Sequence, residues 1–232
     1  GQIVPLTALP DATATFGGWT GACTGTSPTC SVTVDGVKTV RARFIYNLTV
    51  TKSGTGAGTV TSSPAAINCG TTCGASFDHA TLLTLTATPD TTSLFAGWTG
   101  ACAGTSTCTV TMDSARGVEA VFNRAVYSLT VTKTGSGGGT VTSNPTGISC
   151  GGACSASYTA TTVVVLTAAA DANSTFSGWT GACSGTSTCS VTIDGARSAG
   201  ATFTKNIYAL TVTRTGPGLV TSAPLAISCG AE

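Results

Sequence analysis

The stretch Phe95-Ala-Gly-Trp98-Thr-Gly-Ala-Cys102, followed six positions later by Cys108, decides the architecture because the chain contains three closely similar copies of it. The other two copies contain Phe16, Trp19, Cys23 and Cys30, and Phe176, Trp179, Cys183 and Cys189. Successive tryptophans are 79 and 81 positions apart. A second landmark, Leu-Thr-Val-Thr, begins at Leu48, Leu129 and Leu210. Repetition at this spacing predicts tandem copies of one small structural unit.

The landmarks divide the 232 residues into four segments. We predict the C-terminal part of a repeat in 1–46, complete repeats in 47–126 and 127–207, and the N-terminal part of a repeat in 208–232. The joints between the segments are short and apolar, and they share a tyrosine, at Tyr46, Tyr127 and Tyr208. Joints with so little glycine, proline or serine favour stiff end-to-end packing over flexible linkage.

Each unit contains segments with the pattern of β-strands. In the first complete unit, Asn47–Lys52 alternates apolar and polar residues, which is the period of a half-buried strand. The glycine-rich turn Gly54–Gly58 leads from this strand into a second one, Thr59–Ser62. Further strands are predicted to end at Phe77 and to cover 81–87, 107–112 and 117–122. Since no segment has a helical period, we predict an all-β protein with about six strands per unit.

Composition excludes several classes of function. Charged residues make up only 8% of the chain, and the formal net charge is +1, so there is no basic surface of the kind that binds nucleic acid. The most apolar run, Val163–Leu166, is far shorter than a membrane helix, so no membrane insertion is predicted. A single histidine cannot supply a catalytic triad to every unit, and no paired carboxylates recur. We therefore predict that the protein is not an enzyme and uses no cofactor.

Eleven cysteines with one histidine and one methionine are typical of an oxidising, extracellular compartment. Four cysteines in a unit allow three pairings, between which the sequence alone does not choose. Because the leading segment contains only Cys23 and Cys30, we favour local pairing in every unit. The expected disulfides are Cys23–Cys30, Cys69–Cys73, Cys102–Cys108, Cys150–Cys154 and Cys183–Cys189. Cys229 is left over, either unpaired or bonded to another subunit.

Zinc and haem are rival ligands for these cysteines. A four-thiolate zinc site is disfavoured because the C-x3-C and C-x5-C spacings are not those of a zinc knuckle. Covalent haem needs C-x-x-C-H, and the only histidine, His79, is not next to a cysteine. Calcium is disfavoured because Asp90 and Asp113 stand singly at turns. We predict no metal site and interpret His79 as a surface residue.

The tryptophans Trp19, Trp98 and Trp179 have two interpretations. They could be platforms on which sugar rings stack, which would make a glycan a partner of the protein. Each one, however, stands among small residues in Gly-Trp-Thr-Gly-Ala-Cys, three positions after a phenylalanine. A large ring with small neighbours suits packing beneath a disulfide loop, so we favour the role of core anchors.

Several landmarks occur in the order of a known bacterial repeat. They are Leu129-Thr-Val-Thr, Gly139-Thr-Val-Thr-Ser, Ile148-Ser-Cys-Gly, Leu166-Thr-Ala, Phe176-Ser-Gly-Trp179 and Thr202-Phe203. Together they resemble the divergent internalin-type B-repeat, which occurs in tandem in surface and secreted proteins. The resemblance covers essentially the whole chain and implies small modules, β-grasp-like or sandwich-like, that build stalks and adhesive surface proteins. The four-cysteine pattern departs from the simplest form of that repeat, and the family implies no catalytic residue.

The incomplete end segments suggest how the protein works. Aligned on the complete unit, Glu232 corresponds to Thr72 and Gly1 to Ala80, so the gap between them covers the seven counterparts of 73–79. A repeat divided in this way has strand edges with unpaired backbone N–H and C=O groups, which can pair with another strand. We therefore predict an extracellular fibre, filament or surface stalk in which a neighbouring copy or a continuing chain completes the split repeat. The alternative is a glycan-binding, adhesive accessory region of a secreted or surface protein.

Overall fold

The structure is a computed structural model that describes residues 1–70 and 73–224, together with the backbone of 228–229. It confirms the predicted fold class of tandem all-β modules, and the described residues contain no helix, hence none that could cross a membrane. The strands are β1 (Gln2–Thr7), β2 (Ala14–Gly21), β3 (Thr29–Val34), β4 (Val40–Ser53), β5 (Gly58–Ser63), β6 (Gly74–Asp78), β7 (Leu82–Pro89), β8 (Ser93–Gly100), β9 (Cys108–Thr111), β10 (Arg116–Arg124), β11 (Val126–Thr134), β12 (Gly139–Asn144), β13 (Ser155–Thr159), β14 (Val163–Ala170), β15 (Ser174–Gly181), β16 (Cys189–Thr192), β17 (Arg197–Lys205), β18 (Val220–Thr221) and β19 (Ser228–Cys229).

The first complete repeat folds into two sheets around one core. β4, β10 and β8 form one sheet, with β6 on the other side of β4, and β5, β7 and β9 form the second. β4 and β10 are parallel, whereas the pairs β8–β10, β4–β6, β5–β7 and β7–β9 are antiparallel. Of the two layouts that the resemblance implies, two packed sheets correspond to the sandwich-like one.

The sequence pattern underestimates the number of strands. The segment around Trp98 is itself a strand, β8, and each complete repeat has seven strands, β4–β10 and β11–β17. The reason is a bulge in the pairing with β10, where Gly97 lies opposite Val121 but Phe95 lies opposite Phe122. A bulge places two residues opposite one, which breaks the two-residue period by which a strand is recognised.

The second complete repeat has the same layout, with sheet orders β13-β11-β17-β15 and β12-β14-β16. The leading segment has only part of it, because β2 pairs with the first half of β4, and β1 pairs with β3. In the closing segment, β18 and β19 are antiparallel. The chain divides into two compact units, one of Gly1–Ser128, Ser157–Thr162 and Thr192–Ala196, and one of Leu129–Ala156, Val163–Val191 and Arg197–Glu232.

Phe122 of β10 lies in the core of the first complete repeat and is one of the two largest fully buried side chains. The same core contains other buried apolar side chains, among them Leu48, Val50, Val60, Leu83, Leu85, Trp98, Val110, Met112 and Val118. Burial alternates along the strands, as in β9, because successive side chains point to opposite faces of a sheet. Threonines occupy many outward positions, so the sheets present polar hydroxyls to water although charge is sparse.

The first joint is part of a continuous strand. β4 extends over 14 residues and passes through Ile45, Tyr46 and Asn47 without interruption. Phe44 precedes Tyr46 by two positions, whereas the later joints separate the corresponding residues by five, in Phe122–Tyr127 and Phe203–Tyr208. The longer second joint leaves room for a residue between strands β10 and β11. The stiffness that we predict for the first joint has a physical basis, since a bend there would break ladder hydrogen bonds.

Candidate functional site

The first and last strands of each complete repeat are hydrogen-bonded neighbours. Leu48–Ser53 of β4 pairs with Arg116–Val121 of β10 in parallel, and Leu129–Thr134 of β11 pairs with Arg197–Thr202 of β17 in the same way. Tension applied to the start of the first strand and the end of the last would pull the two along their length in opposite directions. In this geometry the load is shared by the whole ladder instead of opening one hydrogen bond at a time.

Sequence reasoning did not find these parallel pairs. The residues involved, such as Leu48 and Arg116, are far apart in the chain, and alternation along a strand does not identify its partner. The repetition contained an indirect signal, because each unit begins and ends with a strand of similar length.

Disulfides close short loops in the leading segment and in both complete repeats. Among the described residues there are five: Cys23–Cys30, Cys69–Cys73, Cys102–Cys108, Cys150–Cys154 and Cys183–Cys189. Cys229 belongs to β19, but its side chain lies outside the described residues, so its expected unpaired or intersubunit state stays a prediction. Each bridge joins cysteines within one loop, and stabilisation by such short loops is at the low end of the usual range of about 2–4 kcal/mol.

A buried tryptophan lies beside one disulfide loop in each copy of the repeated stretch. The indole N–H of Trp98 donates a hydrogen bond to the carbonyl of Ser106, at 2.7 Å, and the ring of Phe95 meets it edge-on at 5.0 Å between centroids. The same donation links Trp19 to Ser27 and Trp179 to Ser187. All three indole rings are buried, so they offer no open face on which a sugar could stack.

The leading segment has an uncovered core. Val40, Ala42 and Phe44 of β4 are only half-buried. Their counterparts in the complete repeats are buried: Val118, Ala120 and Phe122 in the first, and Ala199, Ala201 and Phe203 in the second. The difference arises because the first two strands of a complete repeat cover these positions. They are residues 48–53 of β4 with β5 in the first repeat, and β11 with β12 in the second. Above Phe44 there is instead a cleft of about 420 Å³, lined in part by Leu9, Asp11, Tyr46 and His79.

Two strand edges of the leading segment are open. β10 pairs with β8 on one side and β4 on the other, whereas residues 40–43 of β4 have only β2 as a partner among the described strands. Similarly, β7 lies between β5 and β9, whereas β1 pairs with β3 alone in the described part of the chain. Open edges present unpaired backbone N–H and C=O groups, which can accept a further strand.

Side chains from three elements meet at the first joint. The hydroxyl of Tyr46 donates a hydrogen bond to Asp11 Oδ2, at 2.9 Å. Arg43 forms an ion pair with Asp78, the last residue of β6. The amide of His79 donates to the carbonyl of Phe44, and its imidazole ring lies 5.9 Å from the ring of Tyr46. His79 is exposed, as expected from the sequence, but it also belongs to this joint.

Hydrogen bonds set the charge state at this joint. The backbone amide of Thr13 and the hydroxyl of Tyr46 lower the pKa of the Asp11 carboxyl. The carboxylate of Asp11, through the same hydrogen bond, raises the pKa of the Tyr46 phenol, because loss of the proton would place two negative charges together. Between these two pKa values Asp11 is ionised and Tyr46 is neutral, which is the combination that the hydrogen bond requires.

Asp11→Asn is expected to bring the pKa of Tyr46 down towards the ordinary tyrosine value of about 10, because the neutral amide no longer penalises the phenolate. The bond between Asp11 and Tyr46 should stabilise the joint fully above the ordinary pKa of aspartate and below that of tyrosine. This stabilisation is lost as the pH falls through the lowered pKa of Asp11 or rises through the raised pKa of Tyr46. Tyrosinate absorbance, compared with that of Tyr46→Phe, measures the shift.

Asp90→Asn is the matched control, because the Asp90 carboxylate accepts hydrogen bonds from Thr92 instead of from a tyrosine. It should leave the titration of Tyr46 unchanged. A Tyr46 titration that is identical in the unmodified chain and in Asp11→Asn would contradict the hydrogen bond.

The other aspartates singled out from the sequence make turn contacts. Hydrogen bonds from the hydroxyl of Ser93 and from Thr92 lower the pKa of Asp90, and Arg116 lowers that of Asp113 by hydrogen bonding and charge. Within the described ranges, no group of three or more histidine, cysteine, aspartate or glutamate side chains is placed to hold a metal ion.

Comparison with protein families finds a model described as a divergent InlB B-repeat domain, which matches residues 1–48, 46–126 and 129–207. The three matches span the leading segment and both complete repeats. They confirm the family resemblance that the sequence landmarks indicate. No curated protein sequence is a significant match to the chain.

Two solved structures illustrate the wider likeness. The TIE protein of Bacillus anthracis is 9% identical, with a TM-score of 0.40; the match covers 88% of this chain and 51% of that one. The chain thus spans about half the length of the TIE structure. A point mutant of the shaft pilin spaA from Lactobacillus rhamnosus GG is 10% identical, with a TM-score of 0.22, and the match covers 71% of this chain and 99% of the pilin. Similarity at this level carries no argument about function.

Proposed function

Because the chain belongs to the divergent InlB B-repeat domain family, we propose that it is a non-catalytic structural protein of an extracellular fibre, filament or surface stalk. Its repeats occupy 47–126 and 127–207, with partial repeats in 1–46 and 208–232. Its partners are copies of itself or flanking repeats of the same chain. The split end repeats are completed head to tail, by a neighbouring subunit or by a continuing chain.

The observation that carries this proposal is the parallel pairing of the first and last strands in both complete repeats. A stalk or fibre must resist tension along its chain, and a ladder loaded in shear yields only when many hydrogen bonds fail together. Five disulfides further support a secreted or surface location, since such bonds persist in oxidising compartments.

The tryptophans support this role over glycan binding. We propose that Trp19, Trp98 and Trp179 are core anchors that hold the disulfide loops against the sheets. Their burial removes the main reason for the glycan-binding alternative, and no other observation favours that function.

Pulling the chain by its two ends in single-molecule force spectroscopy is expected to give two high-force unfolding events, one per complete repeat. Each event should lengthen the chain by roughly 200 Å or more, at about 3.3–3.6 Å per extended residue. In each repeat, two disulfides prevent the loops that they close from extending, and the bonded cysteines are 4 and 6 positions apart in the sequence. A reducing agent should therefore add about 30 Å to each event.

Thr51→Pro tests whether the parallel ladder bears the load. Thr51 is exposed and paired with β10, and proline removes its ladder hydrogen bond without emptying the core. We expect one of the two high-force events to weaken or disappear while the other persists as an internal control. Thr132→Pro should have the same effect on the second repeat. If neither substitution changes either force, the parallel pairs do not bear tension and the proposal loses its support.

A further inference from the structure

The closing segment carries a copy of the strands that the leading segment lacks. In the complete repeats, these strands bury Leu48, Val50 and Val60, or Leu129, Val131 and Val141. Alignment on Leu-Thr-Val-Thr and on the later Val-Thr-Ser places Leu210, Val212 and Val220 at these positions. Leu210 is 74% exposed, whereas Leu48 and Leu129 are completely buried. Leu210 and Val220, the latter 38% exposed, therefore present to solvent side chains whose counterparts in the complete repeats are buried.

Local contacts already shape this segment, which we call the donor segment (208–224). Arg214 donates a hydrogen bond to the carbonyl of Gly218, at 2.6 Å, and Ser222 donates to the carbonyl of Pro224, at 2.9 Å. The corresponding bonds in the complete repeats run from Lys52 to Gly58 and Ser62 to Pro64, and from Lys133 to Gly139 and Ser143 to Pro145. A turn that is already formed reduces the entropy cost of adding the donor segment to the two sheets of another copy.

We infer that the donor segment of one copy fills the open strand edges of the leading segment of a second copy. This inference rests on the proposed structural role and names the partner surface. The complete repeats supply the register, since Leu48 lies opposite Arg116 and Val60 lies opposite Ala87. By the same alignment Leu210 lies opposite Lys38, in parallel with β4. Val220 lies opposite Ala8, antiparallel to β1, and the donor segment covers Phe44.

A pair of leucines favours a second copy of this chain as the partner. In the register given by the complete repeats, Leu219 lies directly opposite Leu9. The equivalent pairs are Thr59 with Thr88 and Thr140 with Ala169, which suit a solvent-facing surface. Leu9 is 82% exposed and Leu219 is 62% exposed. Apolar residues directly opposite each other on neighbouring strands contact one another, so both would lose exposed surface when two copies join.

The association joins two different surfaces. One copy supplies the donor segment and the next supplies the edges of β1 and β4, so each added copy leaves one surface of each kind free. Such head-to-tail contacts produce open-ended filaments unless the rotation between copies closes a ring. In a filament, every composite unit would regain the parallel first and last strands of a complete repeat.

Sedimentation of the 232-residue chain over a range of concentrations tests the association. We expect concentration-dependent assembly, and Leu210→Asp should weaken it roughly tenfold or more, because a buried leucine becomes a carboxylate. The matched control is Thr211→Asp, because its counterparts Thr49 and Thr130 are exposed in the complete repeats. This control should assemble like the unmodified chain. Leu210 is exposed in the single chain, so its replacement should not disturb the rest of the fold.

Cross-linking tests the register. Two proteins, one carrying Leu9→Cys and the other Leu219→Cys, both with Cys229→Ser to remove that thiol, are mixed and mildly oxidised. A disulfide between the two species is expected, since directly opposite residues come within bonding reach. Leu9→Cys mixed with Thr211→Cys is the control, because that pair lies on different sheets and should not cross-link.

The outcomes separate this inference from the proposed function. Assembly that is lost in Leu210→Asp, together with the 9–219 cross-link, supports it. A chain that stays monomeric at every concentration overturns the second copy as partner, and so does assembly that is unaffected by Leu210→Asp or that gives no cross-link. None of these results changes the unfolding forces of the two complete repeats. The force measurements therefore test the proposed structural role independently of the association.

Discussion

Replacing Phe122 with alanine is expected to lower the free energy of unfolding of the first complete repeat by about 3–5 kcal/mol. Phe122 is 1% exposed, and its ring lies 5.5 Å from the ring of Phe95 and against Gly58. Alanine gives up this burial and leaves a cavity between the two sheets. Because small domains are stable by only about 5–15 kcal/mol, the repeat would lose a large part of its stability.

Hydrogen exchange followed peptide by peptide measures this loss, because it reports the opening of each repeat separately. Phe203→Ala should have the same effect in the second repeat, where Phe203 is equally buried. Phe44→Ala is the matched control at concentrations where the chain is monomeric, and there it should cost clearly less, since Phe44 is half-buried in the single chain. An equal loss for Phe44→Ala would show that something already covers the leading segment in solution.

Gly54→Ala is expected to destabilise the first complete repeat by about 2–5 kcal/mol, although it adds a single methyl group. A Cβ at this position would overlap the carbonyl oxygen of Phe122, and Gly54 has a φ of +95°, which suits glycine. Overpacking costs about 1–3 kcal/mol, and the left-handed backbone adds about 1–2 kcal/mol for an L-residue. The glycine-rich turn is therefore fixed by its close contact with the last strand of the repeat.

Gly117→Ala serves as the control in the same repeat. Gly117 is on β10, its φ lies outside the left-handed range, and a Cβ there would meet nothing within 4 Å. We expect unchanged or slightly higher stability, because glycine in a strand costs about 0.5–1 kcal/mol relative to alanine. Thermal unfolding of both variants distinguishes the steric clash from a general intolerance of alanine. A Gly54→Ala variant as stable as Gly117→Ala would contradict the close packing.

Strands with a regular alternation could be located from the sequence, but one strand in each repeat could not. Asn47–Lys52 and 81–87 have local patterns that the structure reproduces as parts of β4 and β7. β8 was not predicted as a strand because its bulge and its glycines interrupt the alternation of apolar and polar residues. It nevertheless contains the most conspicuous repeated stretch of the chain. Repetition revealed that this stretch matters, whereas its conformation depends on pairing with β10.

At the candidate site, too, some features can be predicted from the sequence and others are visible only in the structure. The split repeats and the local cysteine spacing are visible in the sequence, because a partial copy can be aligned on a complete one. The bond between Asp11 and Tyr46 joins residues 35 positions apart, and nothing near either residue indicates it. The recurrence of a tyrosine at every joint was the only signal, and it does not name the partner.

The sequence by itself determined the repeat, its family, the all-β class and the positions of most strands, because these follow from short-range patterns of apolar residues, glycines and cysteines. Only the tertiary structure decided that the first and last strands of a repeat pair in parallel, and that β1 and residues 40–43 of β4 each have a single partner among the described strands. The physical reason is that backbone hydrogen bonds are the same for every strand. The choice of partner therefore depends on which side chains are buried together once the whole unit has formed.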